Sequence, residues 1–419
     1  MPRSLTVRQA KLVLPQRTVT GDIVVQDGVI AEVAPHASRE VGEVIDGSGL
    51  CVLPGLIDTQ VRLDGLDELD QAGAEVVAGG ITSFVGVRAA TDADGLRREL
   101  SALGRDCPVN HGLYVRLDTD ITNAVDTALA AERAFGVWVD ADQLEHAEPV
   151  FERATGLVVV DHRDVARLRD RWHLFDAPPT PSDLPRFYDI DTCVDGAHRV
   201  LELAARHGTR THLLHISTAE ELQLLPDNQR VTATVRPHHL FADASFYEAF
   251  GTRAVCVPPL RGPRHAEALW QALGEGRLWL TSGHFPASAA SKDLPLPATH
   301  PGWPTAEWML PLLLDAHSRG RCTLGDIARW TSAAPAEHLG LRRKGRLVPG
   351  YDADLVLVDL ARSGTVGADR PIGSRAGWSP WVGRTLKGWP VQVIVGGETA
   401  WLDGTVGPAQ GRPLRPDPA

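Results

Sequence analysis

The chain has 419 residues, of which 43% are hydrophobic and 23% charged, enough for one large globular domain and a smaller one. Its formal net charge of −11 argues against nucleic acid or an anionic membrane surface as a partner. The five cysteines form no Cys-x-x-Cys pair, and no apolar stretch reaches the roughly 18 residues of a membrane span, so we expect a soluble protein of the reducing cytoplasm.

Both ends of the chain are predicted to be β-structure. Ile23-Val24-Val25 is a short apolar run, and Asp27-Gly28 after it is a hairpin signal. Strand patterns return near the other end, at Leu355-Val356-Leu357-Val358. We therefore predict a small composite β domain built from residues 1–53 and 345–419.

Between these ends, residues 54–344 alternate short apolar segments with helical segments. Roughly eight such units indicate the α/β class and a (β/α)8 TIM-like barrel, with function at the C-terminal ends of the strands. After a first strand near residue 56, the predicted strands are 80–85, 112–115, 136–139, 157–160, 210–216, 231–235 and 278–280. The predicted helices are 70–79, 92–103, 122–135, 144–154, 193–207, 219–225, 263–273, 305–318 and 323–332.

Two longer segments interrupt this alternation. Residues 169–189 are rich in Pro, Trp and Phe, and residues 286–304 are rich in Pro, Ala and Ser. We expect both segments to cover the mouth of the barrel or to form an interface.

The first barrel strand is predicted in Leu53-Pro54-Gly55-Leu56-Ile57-Asp58-Thr59-Gln60-Val61-Arg62-Leu63-Asp64. Gln60 and Arg62 are two positions apart, so on a strand they point to one side, with Val61 and Leu63 on the other. This stretch resembles the first barrel strand of the dihydroorotase family in the amidohydrolase superfamily. In that family the same frame carries His-x-His, with both imidazoles on a catalytic metal.

Further blocks extend the resemblance over nearly the whole chain. They are Glu75–Thr82, Val160–Asp164, His212–Glu220, Pro237–Leu240, Pro258–Arg261, Lys344–Leu347 and Pro349–Leu355. The resemblance implies a cyclic amide hydrolase of pyrimidine biosynthesis with one or two Zn ions. Their ligands would be the His-x-His pair, two later histidines, and an Asp or a carboxylated Lys. An Asp at the last strand would act as general acid and base.

The metal ligands that the resemblance implies are only partly present. The two later histidines remain as His162 and His215, but the first pair has become Gln60 and Arg62. A neutral amide is a poor Zn ligand, and a guanidinium is never one. No lysine lies between residues 11 and 292, so a carboxylated lysine on the middle strands is excluded, and Asp140 is the one plausible carboxylate there. We expect no metal; if one binds, its ligands would be Asp140, His162 and His215.

The implied base and substrate-binding residues are also altered. Gly283 stands where the resemblance implies the catalytic Asp, and it carries no proton-transfer group. Asp64 occupies a position where the resemblance implies an Arg that binds an anionic substrate. Ala89 and Val257 each occupy a position where the resemblance implies an Asn. The predicted degenerate site is therefore Gln60, Arg62, Asp64, Ala89, Val257 and Gly283, with no catalytic residue.

Several side chains of this region have more than one interpretation. Arg62 could fill the vacated metal position and pair with Asp140, so that a fixed cation replaces the metal. His162 and His215 could instead be hydrogen-bonded histidines in a polar barrel mouth. Structural roles are also expected for His238, His239, His284 and His198.

Three functions remain open from the sequence. The resemblance implies a non-catalytic dihydroorotase homologue that serves as a structural or assembly subunit for the aspartate transcarbamoylase catalytic chain, as a homo-oligomer within a larger complex. The alternative is an active zinc-dependent dihydroorotase, or a related cyclic amidohydrolase, with an atypical site. A third reading is a module that retains a small ligand in the altered pocket.

Overall fold

A computed structural model describes residues 4–63, 69–90, 107–117, 134–171 and 179–416. Eight parallel strands form one sheet in which each strand pairs with the next along the chain. The strands are β6 (Leu56–Arg62), β7 (Ile81–Ala90), β8 (Asn110–Leu117), β9 (Gly136–Val139), β10 (Leu157–Val160), β11 (Thr211–Leu213), β12 (Val231–Val235) and β13 (Trp279–Leu280). Their apolar, β-branched residues fit a sheet buried on both faces. The predicted (β/α)8 barrel is confirmed.

Contacts between the first and last strands bring the barrel close to closure. Val61 forms a parallel bridge with His284, and the backbone N–H of Arg62 donates to the His284 carbonyl at 2.9 Å. The buried carboxylate of Asp58 accepts from Thr281 Oγ1 at 2.6 Å and from both the N–H and the hydroxyl of Ser282. Asp58 therefore connects β6 to the segment that follows β13.

A second, nine-stranded sheet combines strands from both ends of the chain. Its strands are β1 (Leu5–Val13), β2 (Thr18–Gln26), β3 (Val29–Ala34), β4 (Glu43–Asp46), β5 (Cys51–Pro54), β14 (Leu355–Thr365), β15 (Thr385–Val395), β16 (Glu398–Leu402) and β17 (Thr405–Val406). Their order in the sheet is β17-β16-β15-β14-β5-β1-β2-β3, with β4 beside β1, and β14 pairs antiparallel with β5. The β2–β3 hairpin turns at Asp27 and Gly28, both with positive φ. The boundaries predicted at residues 53 and 345 remain predictions.

The helices of the described residues lie mainly between the barrel strands. They are α1 (Leu69–Val77), α2 (Glu148–Arg153), α3 (Val165–Arg171), α4 (Leu184–Phe187), α5 (Ile190–His207), α6 (Ala219–Leu224), α7 (Pro237–Phe241), α8 (Phe246–Phe250), α9 (Pro263–Gly274), α10 (Ala289–Lys292), α11 (Ala306–Ser318), α12 (Leu324–Ala328) and α13 (Ala334–Leu339). The helix predicted at 92–103, and most of that predicted at 122–135, lie outside the described residues. No described helix is long and apolar enough to cross a bilayer.

Tryptophans form a large part of a second core beside the barrel. Trp303, Trp308, Trp378, Trp381 and Trp389 are all buried in one cluster. Trp308 packs edge-to-face on Trp389, with ring centroids 6.4 Å apart. Since buried aromatic rings contribute large apolar areas, this cluster helps to hold the segment around residue 303 against the C-terminal strands.

Candidate functional site

The predicted site residues lie at the C-terminal ends of the parallel barrel strands. Gln60 and Arg62 are the last residues of β6, and Asp140 directly follows β9. His162 follows β10, and His215 follows β11. Because these ends share one rim of the barrel, their side chains meet at its mouth.

The two residues that replace the His-x-His pair make different contacts. Gln60 is buried, and its amide oxygen has no hydrogen-bond partner within the described residues. The Arg62 guanidinium lies over the Phe285 ring, 4.7 Å from the ring centroid. This cation–π contact directs Arg62 toward the segment that follows β13.

Asp140 is held by neighbours other than the predicted one. Its Oδ1 accepts from Trp138 Nε1 at 2.8 Å, and its Oδ2 lies 3.6 Å from Arg116 Nε. Burial raises the pKa of Asp140, while the bond from Trp138 and the charge of Arg62 oppose that rise. Within the described residues the hypothetical ion pair of Arg62 with Asp140 is not formed: the Arg62 guanidinium lies over Phe285, and Arg116 lies against Asp140.

His162 is oriented by the carboxylate of Glu221, which was not predicted as a site residue. Its Nε2 lies 2.7 Å from Glu221 Oε1, and both side chains are buried. Glu221 also accepts from Ser217 and Thr218 through its other oxygen. The His162 Nδ1 atom has no partner among the described residues. The Ser-Thr-Ala-Glu-Glu run offered a signal, because Thr218 and Glu221 form a capping box at the start of α6.

His215 lies between a carboxylate and an arginine. Its Nε2 is 3.9 Å from Asp161 Oδ2 and 3.4 Å from Arg236 Nη2. Burial and the Arg236 charge hold the pKa of His215 well below its usual range, so the imidazole is neutral at pH 7. Asp161 is in turn engaged by Arg163 through both of its oxygens. Burial works to raise the pKa of Asp161, but the Arg163 charge holds it well below its usual range.

Arg236 fills the space beside Gly283. A Cβ atom at position 283 would lie 2.7 Å from Arg236 Cδ, 3.0 Å from Cγ, and closer still to Nε. Gly283 also has φ +60°, which most side chains avoid. The Arg236 Nη1 donates to the Val257 carbonyl at 3.0 Å, and burial lowers the pKa of Arg236 to about 10. Arg236 was not predicted as a site residue, although its position directly before Pro237 places it at the end of β12.

The donors at the mouth do not fit the zinc centre that the resemblance implied. Among the described residues, the ligand atoms of Asp140, His162 and His215 do not all come within 4.8 Å of one another. Arg236 contacts His215, and Arg116 lies against Asp140. A guanidinium about 4 Å from a dication costs several kcal/mol even at an effective dielectric of about 20.

Two of the remaining predicted positions are not fully described, and the other histidines differ in their contacts. Asp64 is outside the described residues, and Ala89 is described only as backbone of β7. His239 donates from Nε2 to the Pro258 carbonyl, and His284 Nε2 lies 2.9 Å from Glu75. His238 is buried with no hydrogen-bond partner among the described residues, whereas His198 is exposed.

Comparison with known proteins places these features in a family. Residues 200–400 match the model of the amidohydrolase family. A dihydroorotase of Methanothermobacter thermautotrophicus is 30% identical over 424 residues, covering 94% of each chain. A dihydroorotase of Pyrococcus furiosus is 28% identical over 402 residues, covering 94% of this chain and 91% of that protein.

Solved structures show the same architecture at lower identity. A D-hydantoinase superposes with a TM-score of 0.88 and 22% identity, covering 99% of both chains. The L-hydantoinase (dihydropyrimidinase) of Arthrobacter aurescens gives a TM-score of 0.87 at 22% identity, covering 98% of both chains. At this identity the similarity concerns the fold.

Proposed function

The chain belongs to the dihydroorotase family of amidohydrolases, and we propose that it is a non-catalytic member with a structural role in pyrimidine biosynthesis. The observation that carries the proposal is the position of Arg236. Its guanidinium contacts His215, and its side chain fills the space next to Gly283. One cation thus lies against a metal-ligand position and excludes a side chain from the position of the general base.

Hydrolysis of a cyclic amide by a metalloenzyme needs a polarised carbonyl, an activated water and a group that moves the proton. Gln60 and Arg62 cannot supply the missing imidazoles, and Gly283 cannot accept a proton. Arg163 and Arg236 add positive charge at the same mouth, and Asp161 offsets it through its bidentate pair with Arg163. The guanidinium groups are unsuited to a dication, and Gly283 offers no base at the position of the general acid and base.

The contacts that hold the barrel together are intact beside this altered site. Asp58 connects the first strand to the segment after the last, and Glu75 binds both His284 and Ser374. Glu75 therefore connects α1 both to the segment that follows β13 and to the segment between β14 and β15. A barrel that keeps its stabilising contacts while the residues at its mouth have changed is suited to a structural role.

The proposed partner is the catalytic chain of aspartate transcarbamoylase, with this chain as a homo-oligomer within a larger cytoplasmic complex. Co-expression of the two chains followed by size-exclusion chromatography with light scattering tests this role. We expect both chains to elute together in a fixed ratio. Separate elution of two monodisperse proteins at micromolar concentration would contradict it.

One observation favours the alternative of an active zinc-dependent amidohydrolase with an atypical site. The His162 Nε2–Glu221 contact, with Nδ1 unpartnered among the described residues, is the arrangement in which a carboxylate orients a metal-binding imidazole. Stoichiometric Zn by elemental analysis, together with hydrolysis of dihydroorotate or a hydantoin, would establish this alternative. A His162→Ala variant that loses both would assign them to this site.

A further inference from the structure

A cavity of about 540 Å³ lies beside the barrel mouth, with residues from 163–169 and 179–188 on one side and residues from 255–257 and 296–301 on the other. Its lining is largely apolar and aromatic. Among the lining residues are Leu168, Leu184, Phe187, Val257, Leu296 and Pro301. The proposed assembly role assigns no ligand to this space.

Charged side chains hold the walls of the cavity in place. Arg171 at the end of α3 donates to the carbonyls of Phe187 and Arg186 at 3.1 and 2.6 Å. On the other side, the buried Lys292 ammonium donates to the carbonyls of Val255 and His300 at 2.6 and 2.8 Å. The Arg171 bonds join α3 to α4, and the Lys292 bond to Val255 joins α10 to a distant segment, so the cavity is formed before any ligand arrives.

A cationic group stands at the rim of this apolar space. Arg163 and Arg169 both line the cavity. Arg163 is engaged by Asp161, whereas Arg169 is exposed and makes no ion pair within the described part of the chain. An apolar body in the cavity would therefore bring an acidic substituent within reach of Arg169.

We propose that this cavity binds a small aromatic monoanion, a molecule of about two rings with one carboxylate or sulfonate group. The volume lies in the range of small-molecule sites, which are mostly apolar with few polar groups. Burial of the rings supplies affinity, and Arg169 supplies the preference for negative charge. This ligand site goes beyond the proposed assembly role and needs neither a metal nor a general base.

Two fluorescent probes of nearly the same shape test the proposal. The anion 8-anilino-1-naphthalenesulfonate and the neutral N-phenyl-1-naphthylamine differ in the sulfonate. Titration of each probe into the purified full-length chain should give saturable 1:1 binding. Unsaturable or multi-site binding to the folded protein would overturn the assignment of one built cavity.

Substitutions then locate the probes. Val165 lines the cavity and is only partly buried, so Val165→Trp should fill it and weaken both probes by about tenfold or more. The same change at the exposed Val382, Val382→Trp, is the control and should leave both affinities unchanged. Arg169→Gln should weaken the sulfonate probe by about threefold and leave the neutral probe unaffected.

Two results would overturn the inference. Unchanged binding of both probes to a folded Val165→Trp variant would show that they bind elsewhere. An equal loss of affinity for both probes in Arg169→Gln would contradict the proposed preference for an anionic ligand. Far-UV circular dichroism and the urea midpoint of each variant establish folding, and neither result bears on whether the chain hydrolyses dihydroorotate.

Discussion

Replacement of Gly283 by alanine tests directly whether Arg236 fills the place of a side chain at that position. The substitution forces a Cβ into a left-handed backbone, which costs about 1 kcal/mol. It also displaces Arg236, whose Cδ would be 2.7 Å from the new atom. Loss of the Arg236 bond to the Val257 carbonyl adds about 1 kcal/mol, and overpacking adds about 1 more.

A matched glycine separates the two causes. Gly208 has φ +66°, close to the +60° of Gly283, but a Cβ there would meet nothing within 4 Å. Gly208→Ala should therefore cost about 1 kcal/mol and Gly283→Ala about 3 kcal/mol. The free energy of unfolding would be measured by urea denaturation at pH 7, followed by fluorescence and circular dichroism.

A double-mutant cycle completes the test. In an Arg236→Ala background, Gly283→Ala should cost only the backbone term, giving a coupling energy of about 2 kcal/mol between the two positions. Equal costs for Gly283→Ala and Gly208→Ala, or a coupling energy near zero, would refute the claim that Arg236 occupies this space.

Three further predictions follow from buried groups at or near the mouth. Burial lowers the pKa of Lys292 to about 7, so the folded state binds fewer protons than the unfolded state between about pH 7 and pH 10. Stability should therefore rise across that window, and Lys292→Met should flatten the rise in urea midpoints while the exposed control Lys387→Met does not. Burial works to raise the pKa of Glu221, but hydrogen bonds led by that from His162 lower it overall. Its contribution is present above the unfolded pKa of about 4.3 and is lost as pH falls, so Glu221→Gln should destabilise by about 2 kcal/mol at pH 7 and by less near pH 3; a pH-independent difference would contradict this. The double substitution Gln60→His with Arg62→His should yield no hydrolysis of dihydroorotate with added Zn, and recovery would show that the base has been misplaced.

The sequence was sufficient for the architecture because local patterns determine it. The alternation of apolar strands with helices predicted the barrel, and Asp27-Gly28 predicted a hairpin whose two residues both have positive φ. The register of Gln60, Arg62 and Gly283 followed from short motifs with strong resemblance.

The side-chain contacts across the barrel mouth could not be predicted from local sequence patterns. Arg236 reaches Gly283 from the end of another strand. No local sequence pattern predicts which cationic side chain fills the space beside a residue on a different strand. Arg62 was the candidate from the sequence because it occupies one of the two lost ligand positions, yet it lies over the Phe285 ring, and Arg116 lies against Asp140. These choices depend on side-chain packing between strands distant in sequence.

We propose that the mouth of this barrel no longer supports amide hydrolysis. The most direct measurement is hydrolysis of dihydroorotate by the full-length chain, purified with its Zn content determined and assayed with and without added Zn. We predict a rate of hydrolysis equal to that in buffer alone at every Zn concentration. Turnover that rises with bound Zn and disappears in His162→Ala and His215→Ala would contradict it.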